Sequence, residues 1–338
     1  MRISDRQTSR NYLSYLEKAK TAYAETNERI ASGNRFTRIS DDVSAATKAL
    51  RIRVDKSKAE EYYDNVSAVS EQLSTTEDAM TSINEILGKV HTKVLSAMNS
   101  TSGDSGRETL ADEIEDLRDE ILQFANTTYN DMFVLGGSSA GNAPFSFDDS
   151  GNFLYNEIDV NSIEHDDSGY FYMDGTTRTD IPMSGEIYVD IGLGISMTGS
   201  NVDSDSAMKT SYSGLEIFGY GEDDDGNTNN IFNMLTQLSE NLTDYDEDAV
   251  GTYDDKLLSY TETFRGYLTD IGAKTSFLDT IKNRITDSID TYESQISRLI
   301  GVDDAEEASN QSMNDYVLKA VLSMGADIIP VSLMDFLN

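Results

Sequence analysis

Few side chains in this sequence are of the kinds that make and break bonds. Its 338 residues include no cysteine and two histidines, His91 and His165. Without a thiol there is no disulfide, no thiolate nucleophile and no Cys-ligated zinc or iron–sulfur cluster, and two histidines cannot furnish a His-rich metal centre. His91 sits beside Val90 in a long helical pattern and reads as a flanking residue. His165, within Glu164-His165-Asp166-Asp167, reads as a loop residue. Carboxylates are abundant, with 61 Asp and Glu. Pairs such as Asp148-Asp149 and Asp166-Asp167 have the composition of a glycosidase acid–base couple, but at this density adjacent acids arise by chance and solvated loops explain them. The run Gly221 to Gly226 is acid-rich, as calcium loops are. An EF-hand with its turn glycine at Gly226 needs an acidic first residue and a Glu twelfth. Those positions are Gly221 and Phe232, so the motif is absent, while loose calcium binding by loop acids stays open. There is no HExxH, no GxGxxG after a strand and no GxxxxGK[ST], and Gly136-Gly137 and Gly192-Leu193-Gly194 read as turns. The expectation is a protein that is not an enzyme, with no catalytic residue, no metal site and no cofactor.

Composition points the same way. The net charge is -35, from 26 basic and 61 acidic residues. Phosphates would be repelled, which excludes nucleic-acid binding through a basic face and disfavours anionic membrane surfaces. Hydrophobic residues are 38% and tryptophan is absent, which suits an elongated, well-solvated molecule better than an enzyme with a deep pocket. No segment approaches the roughly 18–20 apolar residues of a membrane span. The first 20 residues lack the apolar core of a cleavable signal peptide, so the chain is expected in the cytoplasm or exported by a route that uses no such signal.

The patterns that dominate the chain are structural. Val66, Val69, Leu73, Thr76, Met80, Ile83, Leu87, Val90, Val94 and Ala97 follow a 3-4-3-4 spacing, the seam of a coiled coil. Gly103 and Gly106 are expected to break this helix. A second run follows at Leu110, Ile114, Leu117, Ile121 and Phe124. A third comprises Val250, Tyr253, Leu257, Tyr260, Phe264, Tyr267 and Ile271, and continues through Leu278, Ile281, Ile285, Ile289, Tyr292, Ile296 and Leu299. Two successive steps of four around Ile285 form a phase slip that should locally unwind a supercoil, and Gly266, Gly272 and Lys274 weaken the middle of this helix. Between the seams, residues 131–230 hold 14 of the 23 glycines, 19 acids and two basic residues. Strand-like runs at Asn152–Tyr155, Tyr170–Met173 and Glu186–Ile191 mark this part as a turn-rich, β-containing insert.

The ends carry helical stripes of their own. Tyr12, Leu16, Ala19, Tyr23, Thr26 and Ile30 run 4-3-4-3-4. Helix one should stop at Ser32-Gly33, since glycine favours the left-handed position past a helix end. Ser40 is the expected N-cap of the next helix, with Asp41 and Asp42 at its positive end. Tyr316, Val317, Leu318, Val321 and Leu322 lead into an apolar tail containing Leu333, Phe336 and Leu337. The predicted fold class is mainly α with an inserted β-rich domain, a long antiparallel coiled-coil rod built from the N- and C-terminal arms. The expected domains are terminal helices at 1–40 and 305–338, a helical rod at 41–145 and 230–304, and an outward, acidic, β-rich insert at 146–229. The insert is expected to be dispensable for helix pairing. The terminal stripes are expected to lack partners within one chain and to become ordered when adjacent subunits bury them.

Specific residues carry a resemblance to a known family. Arg29-Ile30-Ala31-Ser32-Gly33-Asn34-Arg35, then Ser40-Asp41-Asp42-Val43-Ser44-Ala45-Ala46, resembles the N-terminal signature of bacterial flagellin-like proteins, as does Met1-Arg2-Ile3-Ser4. Within that superfamily, Ala45–Leu50, the passage from Asn126-Thr127 through Phe133–Gly137 to Pro144-Phe145, and the ending Ser332–Leu337 are similar to the hook–filament junction group. Proline, frequent in the family near the positions of Ile39 and Val43, is missing here. The resemblance covers about 1–145 and 230–338 and implies a structural subunit of the bacterial flagellum that joins hook to filament after export through the flagellar type III channel. It implies an extracellular location and a subunit-assembly surface on Tyr12, Leu16, Ala19, Tyr23, Ile30, Val317, Leu318, Val321, Leu322, Leu333, Phe336 and Leu337. Ser32, Gly33, Arg35, Ser40, Asp41 and Asp42 would form the signature loop. The implied partners are other copies of the chain, a second hook-associated junction protein on the hook side, adjoining filament-side junction or flagellin subunits, and an export chaperone before secretion. Flagellin itself is an alternative that differs in forming long filaments. An exported adhesin or secretion-tip protein binding a ligand through its acidic insert belongs to another class, which glycan binding or calcium dependence of 146–229 would favour.

The charge gives a first testable outcome. Self-repulsion should destabilise the compact state where it is least screened. The thermal midpoint should rise as salt goes from about 10 mM to about 1 M, over which the Debye length shrinks from roughly 30 to 3 Å; a midpoint that stays flat or falls in a calorimetric salt series would remove repulsion as a major term.

Overall fold

The computed structural model describes residues 2–98, 103–137, 143–148, 151–166, 169–181, 187–192, 196–199, 201–203, 207–223 and 225–328. Among them the chain is mostly helical. Three helices come first: α1 (Arg2–Ser32), α2 (Val43–Met98) and α3 (Asp104–Ala125). Twelve short strands follow. They are β1 (Thr128–Tyr129), β2 (Met132–Phe133), β3 (Phe145–Phe147), β4 (Phe153–Tyr155), β5 (Ile158–Asp159), β6 (Ile163–Asp166), β7 (Gly169–Asp174), β8 (Thr177–Asp180), β9 (Tyr188–Val189), β10 (Met197–Thr198), β11 (Asn201–Val202) and β12 (Met208–Lys209). The chain returns to helix in α4 (Gly214–Phe218), α5 (Ile231–Asp244), α6 (Glu247–Ile300) and α7 (Asp304–Ile328). Two compact units result, one of residues 1–60 with 286–338 and one of residues 61–285.

In the second unit the expected seam is the core. All ten positions from Val66 to Ala97 are buried on α2. On α6, Val250, Tyr253, Leu257, Phe264, Ile271, Leu278, Ile281 and Ile285 are buried in turn. Partners run in opposite directions along the two helices. The His91 Nδ1 lies 2.8 Å from Asp254 Oδ1, the Arg265 Nε donates to Asn84 Oδ1 at 3.0 Å, and the Lys282 ammonium lies over the Tyr63 ring. The pairing is antiparallel. Burying each Leu-, Ile- or Val-sized side chain contributes about 1.5–3 kcal/mol, and neither helix could cover its stripe alone. Gly272 does not interrupt α6. A Cβ there would stand 3.3 Å from the Glu77 carboxylate, so the glycine permits close approach. Gly106 likewise lies inside α3, and the break falls before Asp104.

The second run pairs with a helix that the sequence reading did not separate. Ala111, Ile114 and Ile121 of α3 are buried against α5, whose Ile231, Met234, Leu235, Leu238 and Leu242 are buried too. Ser239 Oγ ties the pair by donating to Ala111 O at 3.2 Å. The extra apolar positions Ala79 and Ile86 of α2 are also buried, which widens its stripe beyond a two-helix seam.

The insert is not a detached appendage of this unit. Its sheets are small and antiparallel: β3-β4-β5, β6-β7-β8, and three strand pairs. Phe145, Phe153, Tyr155 and Phe218 form one aromatic core with Phe232 of α5, and Phe153 stacks on Phe232 with centroids 3.9 Å apart. Two asparagines bolt it down. The Asn230 Oδ1 caps α5 by accepting from Phe232 N at 3.0 Å, while its Nδ2 donates to Gly219 O at 2.9 Å. The Asn233 Oδ1 accepts from Phe153 N at 3.0 Å. Tyr212 reaches α6, its hydroxyl donating to Asp270 at 2.9 Å and accepting from Lys274 at the same distance. These contacts tie 146–229 to α5 and α6. Removing these residues would strip Phe232 and α5 of their aromatic cover, a contribution that apolar periodicity in the arms cannot reveal.

Two buried hydroxyls in the arms, Ser67 Oγ and Tyr260 Oη, have no hydrogen-bond partner. Burial drives the Tyr260 phenol well above its ordinary range, with the nearby Tyr267 adding to the shift. An unsatisfied buried polar group costs about 1–3 kcal/mol. Tyr260→Phe should therefore raise the thermal midpoint, and a denaturant titration showing destabilisation by this substitution would mean the hydroxyl has a partner after all.

Candidate assembly surface

The terminal unit is built on α1 and α7. α1 ends where expected, at Ser32, with Gly33 at φ +66°. The signature loop that follows is held by the turn between α6 and α7. Arg35 N donates to Ile300 O at 2.8 Å, Val302 N donates to Gly33 O at 3.1 Å, and the Arg35 guanidinium reaches Leu299 O at 3.3 Å and Asp42 at 3.2 Å. The expected N-cap is corrected. Asp42, not Ser40, caps α2, its Oδ1 accepting from Ala45 N at 2.9 Å. Ser40 lies too far from the first turn and donates to Asp41 Oδ1 at 3.3 Å.

The terminal stripes are not without partners within one chain, contrary to expectation: α1 and α7 pack on each other. Much of this contact is polar. The Gln311 Nε2 donates to Asn27 Oδ1 at 2.6 Å, and the Asn314 Nδ2 donates to Thr26 Oγ1 at 2.8 Å. Arg29 meets the buried carboxylate of Glu307 at 3.4 Å. Further along, Gly325 lies under Tyr12, where a Cβ would collide with the phenol ring and its oxygen. A search for apolar stripes passes over Asn27, Glu307, Gln311 and Asn314. The signal that could have found them is the run of amides and carboxylates at helical spacing on α7, matched by Thr26, Asn27 and Arg29 on α1.

An apolar groove about 570 Å³ in volume opens beside this pair, lined by Tyr12, Tyr15, Ala19, Ala22, Val317, Val321 and Met324 among others. It brings together four of the proposed assembly residues, Tyr12, Ala19, Val317 and Val321. Leu16, Tyr23 and Leu318 are half-buried, while Ile30 and Leu322 are exposed. Leu333, Phe336 and Leu337 lie outside the described residues. Ser32, Gly33, Arg35, Ser40 and Asp41 are exposed and Asp42 is half-buried, so the signature loop is stitched to the α6–α7 turn while most of its side chains face water.

The acidic loop of the insert is engaged internally. The Asp223 carboxylate contacts Lys256 at 2.5 Å and accepts from Asn227 N at 2.8 Å, and the Lys256 ammonium holds it down at about 2. Among the described residues no helix is long and apolar enough to cross a membrane.

Among the described residues, long N- and C-terminal helices flank a central β-containing insert. Residues 3–140 match the family described as the bacterial flagellin N-terminal helical region. The chain is similar in sequence to flagellar hook-associated protein 3 of Escherichia coli K12, at 26% identity over 147 residues, 43% of this chain and 46% of that protein. The match thus spans a little under half the length of that relative. In fold it is similar to a protein from Vibrio parahaemolyticus described as flagellar hook-associated, with a TM-score of 0.59 at 18% identity, covering 77% of this chain and 100% of that one. It is also similar to Bacillus cereus FlgL, with a TM-score of 0.51 at 15% identity, covering 73% and 99%.

Proposed function

We propose that this chain is a non-enzymatic structural subunit of the bacterial flagellum that joins hook to filament. The observation that carries the reading is the flagellin-type N-terminal arm paired with a C-terminal arm that displays an apolar groove and exposed apolar residues on α7. Tyr316 is 73% exposed, Met324 56% and Leu322 49%, and large apolar groups left exposed on a helix pair offer surface to other chains. In this reading 1–40 and 305–338 are the polymerisation helices, 41–145 and 230–304 the supporting helical part, and 146–229 the outward-facing insert. The assembly residues are Tyr12, Leu16, Ala19, Tyr23, Ile30, Val317, Leu318, Val321, Leu322, Leu333, Phe336 and Leu337. The subunit works outside the cell after export. Its neighbours are its own copies, a second junction protein towards the hook, and filament-side junction or flagellin subunits; an export chaperone accompanies it beforehand. A filament subunit is the second reading, favoured by the flagellin-type match of residues 3–140.

Genetics separates the two readings. Deleting the gene should leave hooks without attached filaments and flagellin lost to the medium. The wild-type gene should restore filaments, and Leu322→Asp should not, although the purified variant keeps its helical circular dichroism. Loss of the flagellin itself on deletion would instead identify the filament subunit, and full rescue by Leu322→Asp would remove this face of α7 from assembly.

A further inference from the structure

Charge is distributed unevenly along this acidic chain. Residues 1–58 hold 13 of the 26 basic residues against 7 acids, while the remaining residues hold 13 basic and 54 acidic. Part of the basic excess flanks one helix face. In the first turns of α2 the buried side is made of Ala45, Ala46, Ala49 and Ala59. With 3.6 residues per turn, the opposite side carries Val43, Leu50 and Val54, which are 60%, 46% and 56% exposed. Arg51 and Lys58 flank this stripe on one side and Arg53 on the other, all exposed. The neighbouring Lys56, turned inward, is spent on ion pairs with Glu293 at 2.7 Å and Glu60 at 3.3 Å. An apolar stripe with a cationic rim is thus displayed by a chain whose net charge is -35.

The same unit supplies a complementary surface. Residues 286–338 hold ten acids and two basic residues; Asp287 and Asp290, about three turns before the end of α6, and Asp304 and Glu306, in the first turn of α7, are exposed. Just beyond them on α7, Met313 is 63% and Tyr316 73% exposed. We infer that the Val43–Lys58 face of α2 docks on the acidic α6–α7 surface of a second copy of this chain. The two surfaces differ, so the contact is heterologous. Each copy offers one face to one neighbour and the other face to the next, and contacts of this kind close into rings or extend as filaments. Apolar burial supplies the attraction, and the rim charges fix which surfaces meet. The inference rests on the assembly reading above and adds a second contact to the one made by the ends of α1 and α7.

The test is a charge swap in the full chain, followed by sedimentation velocity at about 0.1 M salt, where a Debye length of about 10 Å screens the overall repulsion and leaves contact pairs intact. One variant carries Arg51→Glu, Arg53→Glu and Lys58→Glu; the other carries Asp287→Lys, Asp304→Lys and Glu306→Lys. Each alone should sediment as a folded monomer under conditions where the wild type associates. An equimolar mixture should recover association, because every contact between the two variants again joins opposite charges. If wild-type chains stay monomeric, or both variants associate as the wild type does, or the mixture fails to recover while each variant keeps its native circular dichroism, the inference is wrong. Undiminished association of both variants alongside loss of filaments in Leu322→Asp would reject this contact and leave the assembly reading standing. Binding of the wild type to vesicles of anionic lipid, abolished by the α2 variant, would assign the face to a membrane and overturn the inference.

Discussion

Burial of the α2 stripe against the α6 stripe is the interaction on which the other features depend. The buried seam on α2 ends at Ala97 and that on α6 begins at Val250, so the pairing closes a long loop before any apolar contact is gained. The entropic cost of closure grows only slowly with loop length, whereas each buried position adds to the gain. Ten consecutive seam positions on α2 make the exchange favourable. Once the two helices are antiparallel, the chain must leave α2 and re-enter α6 at neighbouring places. That gives α3 and α5 their seat beside the pair and lets Phe232 close the aromatic core of the insert.

The seams were legible in the sequence because their signal is redundant: many positions, one period, one physical cause. Features fixed by one or two polar groups were not. The N-cap of α2 falls to Asp42, where three adjacent residues, Ser40, Asp41 and Asp42, all had suitable side chains and only backbone geometry chooses among them. The α1–α7 contact escaped because amides and the Arg29–Glu307 pair, of which Glu307 is buried, hold much of it, and polar residues at helical spacing usually face water. The insert was recognised from its glycine and acid content; β4 falls within one of the three proposed strand runs and β7 encloses another. The third run shrank to the two residues of β9, beside which Ile187 N donates to Ser211 Oγ at 3.0 Å and Ile187 O accepts from Thr210 N at 2.9 Å, bonds that alternation does not reveal. The phase slip near Ile285 left α6 continuous. Burial nevertheless falls from Ile285, buried, to Ile289, Tyr292 and Ile296, half-buried, at the boundary between the two compact units.

That change in burial bears on function. In residues 61–285 the helices are committed to one another by large apolar side chains. In the terminal unit α2 buries alanines and turns its valines and leucine outward, α1 and α7 use polar groups for much of their contact, and an apolar groove is left open. Intramolecular commitment in one unit and displayed apolar surface in the other is the division of labour expected of a subunit that must fold alone and then assemble.

The antiparallel register of α2 and α6 can be read directly, since a chain without cysteine gives no background. Cysteines placed at His91 and Asp254, which face each other across the two helices, should be joined within one chain by a short bis-maleimide at high dilution. The pair His91 and Glu247, two turns of α6 away, should not. Joining of the displaced pair as readily as the matched one, in protein with native circular dichroism, would contradict the register on which the architecture is built.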